Sequence, residues 1–569
     1  MKASDFIADT LEQKGVSVVF EMIGGMITHI IDSLHQRTKI KIVSLHHEQS
    51  AGFAAEAVGR ISDAPGVALA TSGPGATNLV TAIASCYFDS TPTIFITGQV
   101  NLNELSRGLP IRQQGFQETD IVSIVKPITK WAVLVEDSKD IPLVFEKAFN
   151  LCTKGRPGPV LIDIPMDVQK ENITDISFHN SIPEIKEADM GDFNKEIEST
   201  LSNAKYPLCL TGGGVRTSGS INECRALIDI LDIPVVHSLL GVDILPFNHP
   251  LRVGLIGTYG NRWANIALMK SDWLLVLGSR LDVRQTGADA ASIANNKKIF
   301  HIDCDEGQIN NRVKGCVSLV SQLKPAIKNF INNLSVKKPN EDWLKEILEL
   351  SKQYCDLREL RNCNGINPNH FIHSLSKHSH KAKTFLADVG KHQMWTAQSI
   401  ELEASQRLLL SGGLGSMGFA LPAAIGSAFA TGRPVVCILG DGGLQCNIQE
   451  LEAISHHKLP IKIIVLNNES LGMVGQFQED YFESRMQSTV WGYSAPDFEA
   501  VGKAYKIDSK TLNNPAELDD ALRWLWSSPN TPNLLNVMID QNTKVYPKAA
   551  YGRAIDDMDP PIKNGKSSK

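Results

Sequence analysis

Two short stretches of this chain are apolar without interruption and lie one helix apart. Residues 434–440 read PVVCILG, and residues 461–467 read IKIIVLN. Neither alternates apolar with polar, so neither suits a strand with one wet face. Both suit strands covered on two faces, as in a parallel sheet. Parallel neighbours need a crossover, and residues 447–457 place Ile448, Leu451 and Ile454 at helical spacing. The unit therefore reads β-α-β. It sets Asp441 and Asn468 at the carboxyl ends of two strands, where open α/β sheets bind ligands. An oxygen from each can hold a hard divalent cation such as Mg²⁺, which keeps few protein ligands and takes phosphate for the rest. Gly440, Gly442 and Gly443 let backbone N–H groups approach a diphosphate.

The same alternation fills the chain. A first block, 1–175, holds VVF, KIVSL, GVALATSG, TPTIFITG and PVLIDIP as buried strands. A polar stretch from 171 to about 195 reads as a linker. A second block, 190–340, holds YPLCLTGG, PVVHS, WLLVLGS and KIFHIDCD. A charged helical stretch, 340–362, leads to a third block, 365–550, with KTFLADVG, PVVCILG, IKIIVLN and LLNVMI. At 569 residues the chain is too long for one core. The expectation is an α/β protein of three doubly wound parallel-sheet domains, followed by an extended tail at 551–569.

Composition removes several function classes. The net charge is −6, which leaves no electrostatic footprint for nucleic acid. The basic run Lys563, Lys566, Lys569 is short and terminal. Ten cysteines form no Cys-x-x-Cys pair, so neither a zinc site nor a redox dithiol is indicated, and a reduced, cytoplasmic protein is expected. The opening MKASDFIADTLEQKG lacks the apolar core of a signal peptide and the bias of a transit peptide. No stretch reaches the ~18 apolar residues that span a bilayer, so no membrane partner is expected.

Further residues sit at strand-to-helix passages. Glu48, in SLHHEQSAGFAAEAVGR, opens a helix beside small residues; taken alone, it reads as a solvated cap. The loop from Gly73 to Asn78 and the pair Phe116-Gln117 taken alone read as ordinary turns and loops. Met417, in the glycine-rich loop 411–418, reads equally as core filler. In the second block Gly212-Gly213-Gly214 follows one strand, and Gly278-Ser279-Arg280-Leu281-Asp282-Val283-Arg284 follows another. Its two arginines suit a phosphate or carboxylate, and equally a surface ion pair.

In this order, HEQSAGFAAE, TSGPGATN, GFQETDI, GSRLDVRQTG, DVGKHQMWTAQ, GGLGSMGFALPAAIG and the GDG-to-NN segment resemble acetohydroxyacid (acetolactate) synthases, thiamine diphosphate enzymes. The likeness runs from about residue 3 to 550. It implies a pyrimidine domain, a central FAD domain and a diphosphate domain. It implies an acetolactate synthase-like transferase of branched-chain amino acid biosynthesis, which decarboxylates pyruvate and transfers the hydroxyethyl unit to a second carbonyl. A related enzyme with a larger ketone acceptor, such as a CDP-keto-deoxysugar, is the alternative. The implied assembly is a homodimer or homotetramer with sites between chains, with room for a regulatory small subunit.

By the same resemblance Glu48 activates the cofactor across the dimer. Gly25, Phe116 and Gln117 line the reacting centre, and Arg284 meets the acceptor carboxylate. Asp441, Asn468 and Ser470 (through its backbone oxygen) hold Mg²⁺. Gly390, His392, Gly415, Gly440, Gly442, Gly443 and Gly472 surround the cofactor, and Met417 keeps it bent. Gly212, Gly213, Gly214, Gly278, Arg280, Asp282 and Asp303 hold a structural FAD. Met473 and Phe477 line the acceptor pocket. The chain departs from the family pattern at Met22-Ile23-Gly24-Gly25, where the family has Tyr-Pro-Gly-Gly. It departs again at Phe477, where the family has tryptophan, and at Lys391, where it has glutamine. Phe477 leaves more room than an indole and offers no N–H.

Overall fold

The computed structural model describes residues 1–173, 190–334 and 341–561. Most of the expected linker, and Lys563, Lys566 and Lys569, lie outside the described residues.

Three parallel six-stranded sheets organise the chain. The first holds β1 (Val18–Met22), β2 (Lys41–Ser44), β3 (Gly66–Ala70), β4 (Thr93–Gln99), β5 (Trp131–Leu134) and β6 (Pro159–Pro165), in the order β2-β1-β3-β4-β6-β5. The second holds β7 (Pro207–Thr211), β8 (Val235–His237), β9 (Arg252–Leu255), β10 (Trp273–Leu277), β11 (Lys298–Asp303) and β12 (Val317–Val320), in the order β12-β11-β10-β7-β8-β9. The third holds β13 (Thr384–Ala387), β14 (Arg407–Leu410), β15 (Val435–Gly440), β16 (Ile461–Asn467), β17 (Asp508–Leu512) and β18 (Asn533–Met538), in the order β14-β13-β15-β16-β18-β17. The first and third sheets therefore share one topology. The middle sheet has the order of dinucleotide-binding folds.

The three expected α/β domains are present, and the apolar runs are the central strands. The strands that periodicity did not announce are β5, β9, β12, β14 and β17, and each stands at or next to a sheet edge. An edge strand is not packed on both faces along its whole length, so it needs no unbroken apolar run. β5, for instance, is half-buried throughout.

The first and third domains meet helix on helix. Helix Glu48–Ile61 lies along helix Ala420–Thr431, and both are rich in alanine and glycine on the shared face. A Cβ on Gly426 would stand 2.0 Å from the Ala54 carbonyl oxygen, so no other residue permits this approach. Phe53 and Phe419 close the seam edge to face at 5.5 Å.

Helix Glu341–Gln353 belongs physically to the middle domain. Trp343 is buried beneath its sheet and donates its indole N–H to Pro207 O at 3.1 Å. The expected tail, in its described part 551–561, is not extended as its composition suggests. Up to 561 it folds back as a hairpin, β19 (Lys548–Ala549) with β20 (Met558–Asp559), onto the middle domain. Ile555 and Met558 are buried there, and Arg262 donates to Met558 O and Pro560 O. The composition of 551–569 is polar, but two apolar residues are enough to anchor the hairpin.

One buried acid gives the first domain a pH signature. Asp163, in β6, accepts from Thr97 Oγ1 at 2.7 Å and Gln99 Nε2 at 2.9 Å. Burial pushes its carboxyl up to about 7 from 3.8. Between those values the folded chain keeps a proton that the unfolded chain releases. Its stabilising contribution is full below about pH 4 and is lost as the pH rises through 7. Asp163→Asn is expected to remove this slope, on the order of 1 kcal/mol per pH unit in that window. Thermal melts of variant and wild type across pH 4–8 check this; a constant difference would refute it.

Candidate active site

Asp441 and Asn468 are brought together by strand register. Gly440, the last residue of β15, pairs with Leu466, so Asp441 leaves the sheet level with Asn467, the end of β16, and beside Asn468. The helix after β15 starts at Asp441 itself, earlier than the apolar spacing suggests, and breaks at Asn447. Asn447 spends its side chain on Gly418 O at 2.6 Å and accepts from Ser50 Oγ at 3.1 Å, which links the GDG segment to both the 411–418 loop and the first domain.

The donor set fits a hard cation. The Asn468 carboxamide has two settings. With its oxygen inward, that oxygen stands 3.0 Å from the Ser470 carbonyl oxygen and 3.2 Å from Asp441 Oδ1, three acceptors facing one another. With its nitrogen inward, it donates to both. The first setting is favourable only around a cation, the second without one. Among the described residues no cluster of three His, Cys, Asp or Glu side chains could hold a metal. A one-carboxylate, oxygen-only set suits Mg²⁺ rather than zinc. Burial pushes the Asp441 carboxyl up to about 6, and the Tyr493 hydroxyl, donating to Oδ2 at 2.8 Å, opposes that rise.

Around this pair the expected cofactor residues converge. A side chain on Gly442 would meet Leu471 and Met417 Cε, so Met417 reaches the site, half exposed. The glycines Gly440 and Gly390 both lie against the His392 ring. His392 is buried, its imidazole is held neutral with a pKa lowered to about 3, and Nε2 has no protein partner. An orphaned buried nitrogen is what a ligand's polar atom would satisfy. Gly472 adjoins Asn468 and Lys391. Gly415 takes a positive φ of 69° in open space. Lys391 is buried and donates to Thr543 O at 2.7 Å, and burial brings its amine down to about 8.

Two residues went unnoticed in the sequence. Asp388, directly after β13, accepts from Val389 N at 2.8 Å and Gly418 N at 2.9 Å, and Gly443 is a glycine because Asp388 Oδ2 takes the space of a side chain. Burial pushes its carboxyl up to about 7. It falls inside the DVG motif, so position alone could have found it. Tyr493 lies far along the chain from Asp441, in a loop with no periodicity, and nothing in the sequence announces it.

The first domain contributes a second cluster. Glu48 is the first residue of its helix and is 7% exposed, so it is not a solvated cap. Asn78 Nδ2 donates to Glu48 Oε2 at 2.9 Å, and Oε1 lies 3.2 Å from where a Gly75 side chain would begin. Gln117, at φ +66°, packs against Gly73. Gly25 has open space around it, and Phe116 is 80% exposed. Glu48 and Gln117 thus meet at the Gly73–Gly75 loop.

The middle domain opens a cavity that also touches Phe88–Ser90 of the first domain and Met394 and Gly412 of the third. Gly213, Gly214, Gly278, Arg280, Asp282 and Asp303 line it. Gly212 does not; it packs against Gly278 and Ser279, where a Cβ would stand 2.3 Å from the Gly278 carbonyl oxygen. Arg284 lines the same cavity and is exposed, with no ion pair to its guanidinium among the described residues. Phe477 is half exposed on helix Gly472–Tyr481, its ring 4.9 Å from Tyr481, while Met473 is half-buried and packs against the core of the third domain.

Comparison with known proteins accounts for this arrangement. Residues 1–124 match the thiamine pyrophosphate enzyme N-terminal TPP binding domain, 195–330 the central domain, and 388–537 the C-terminal TPP binding domain. The chain is 36% identical to the acetolactate synthase large subunit of Lactococcus lactis, covering 98% of this chain and 95% of that protein. It is 35% identical to the acetolactate synthase isozyme 1 large subunit of Escherichia coli, covering 98% and 97%. It is 36% identical to the chloroplastic acetolactate synthase 2 of Zea mays, covering 98% and 88%. No described helix is long and apolar enough to cross a membrane. With three matched domains in series and full-length relatives above 30% identity, the chain belongs to the thiamine pyrophosphate enzymes, in the acetolactate synthase family.

Proposed function

We propose that this protein decarboxylates pyruvate and joins the two-carbon unit to a second 2-keto acid, as its acetolactate synthase relatives are named for doing. The observation that carries the reading is the pair of clusters: a buried carboxylate at a helix start of the first domain, held by Asn78, and Asp441, Asn468 and the Ser470 carbonyl, whose oxygens can face one cation, beyond the topologically matching third sheet.

Thiamine diphosphate, when bound, supplies a stabilised carbanion for decarboxylation and transfer. Asp441, Asn468 and the Ser470 carbonyl would hold Mg²⁺. His392 Nε2 and the backbone at Gly390, Gly442 and Gly443 would hold the diphosphate, and Met417 would press on the ring system. Glu48 would hold and return a proton at the aminopyrimidine. The single chain leaves Glu48 facing its own Asn78, and in a homodimer or homotetramer it would serve a partner's diphosphate half-site. Arg284, unpaired at the cavity, would orient the acceptor carboxylate through its guanidinium fork, which favours a 2-keto acid over a larger neutral ketone. The middle cavity, with its glycine loops and the Arg280–Asp282 pair at 3.3 Å, suits FAD in a structural role, since the net reaction moves no electrons to a flavin. Two of the relatives are named large subunits, and a regulatory small chain fits the same proposal.

Product analysis of the purified protein with pyruvate, thiamine diphosphate, Mg²⁺ and FAD, with and without 2-ketobutyrate, tests it. Acetolactate or acetohydroxybutyrate is expected. Pyruvate consumed without either product overturns the acceptor, and no consumption overturns the donor. Phe477→Trp is expected to narrow the acceptor range, shifting the product ratio toward the smaller 2-keto acid by about 10-fold, the scale of a lost methylene pocket. An unchanged ratio removes Phe477 from the acceptor site.

A further inference from the structure

Asp441 has two oxygens and they are used differently. Oδ1 faces Asn468 and Ser470, while Oδ2 accepts from the Tyr493 hydroxyl at 2.8 Å. Gln445 Nε2 donates to the Tyr493 oxygen at 3.3 Å, so the phenol's own hydrogen is left to Asp441. The hydroxyl also lies 3.4 Å from where a Gly442 side chain would begin, beside the glycine a diphosphate would rest on. The loop that carries Tyr493 is anchored on helix Gly472–Tyr481. Leu471 N donates to Thr489 O at 3.0 Å, Thr489 Oγ1 donates to Gln478 Oε1 at 2.5 Å, and Gln478 Nε2 donates to Gln487 O at 3.0 Å.

We infer that Tyr493 is the positioning residue of the cation centre: its hydroxyl holds Oδ2 and so presents Oδ1 alone to the metal. Mg²⁺ demands near-octahedral geometry with single oxygens, and a carboxylate free to swing would offer either or both of its own. Groups that orient a metal-binding carboxylate typically change metal affinity by 10–100-fold when removed. The inference rests on the proposed Mg²⁺ and thiamine diphosphate reading, and it adds a residue to that centre.

The test is the Mg²⁺ concentration needed for half-maximal thiamine diphosphate binding to the apoprotein, read by calorimetry, with the Mn²⁺ spin-resonance spectrum as a second readout. Tyr493→Phe removes one oxygen. It should raise the Mg²⁺ requirement about 10-fold or more and broaden the Mn²⁺ signal, with the apoprotein's melting temperature unchanged. Trp491→Ala, two residues away in the same loop with its ring 53% exposed, should shift it less. A wild-type Mg²⁺ requirement in Tyr493→Phe, or an equal shift in Trp491→Ala, overturns the inference. Wild-type protein that binds thiamine diphosphate without regard to Mg²⁺ overturns instead the cation reading beneath it.

Discussion

Glu48→Gln should bind thiamine diphosphate and Mg²⁺ within a few-fold of wild type while turnover falls by about 10²-fold or more. The variant keeps shape and volume. Asn78 Nδ2 still finds an acceptor in the amide oxygen, so the helix start and the Gly73–Gly75 loop stay in place. Only the ability to take up and return a proton is lost. Calorimetry for binding and pyruvate turnover for activity separate the two effects. Wild-type turnover would sink the role of Glu48. Loss of binding together with turnover would show that the carboxylate is a packing element instead.

Asp441→Ala should weaken the Mg²⁺-dependent binding of thiamine diphosphate by about 100-fold or more, a larger effect than removing a residue that only orients a ligand. It removes the one charge in an otherwise neutral oxygen set and leaves Tyr493 without its acceptor. The wild-type carboxyl, raised to about 6 by burial, must lose its proton before it can take a cation. Mg²⁺ affinity of the wild type should therefore hold above about pH 6 and decline about tenfold per unit below it. A titration at several pH values checks this, and a flat profile would mean that Asp441 is not a ligand.

The central strands were legible because burial on two faces leaves a mark on composition: GVALA and VVCILG have nowhere to put a polar residue. The edges β5, β9, β12, β14 and β17 were not, because a strand with one free flank carries no such constraint. Site residues that follow a strand directly, such as Asp441 and Asn468, were legible from position, whereas Glu48, four residues past β2, was legible only through the family resemblance. Tyr493 was not, because only the fold of an aperiodic loop brings it to Asp441. The glycines divide in the same way: Gly212 was marked as a cofactor residue by its place in a motif, yet its neighbours are Gly278 and Ser279. Sequence alone does not separate a glycine kept for a ligand from one kept for a neighbouring loop.

The hairpin at 548–559 has a consequence in time. Ribosomal synthesis delivers domains from the amino terminus onward, and each ordinarily folds as it emerges. Here Arg262 and Asn265 of the middle domain find partners at Met558, Pro560 and Ile555, almost three hundred positions later. The middle domain, second to be made, is the last that can be finished. A nascent chain must carry it unsealed, with the seats of Ile555 and Met558 open, until the whole third domain has been translated.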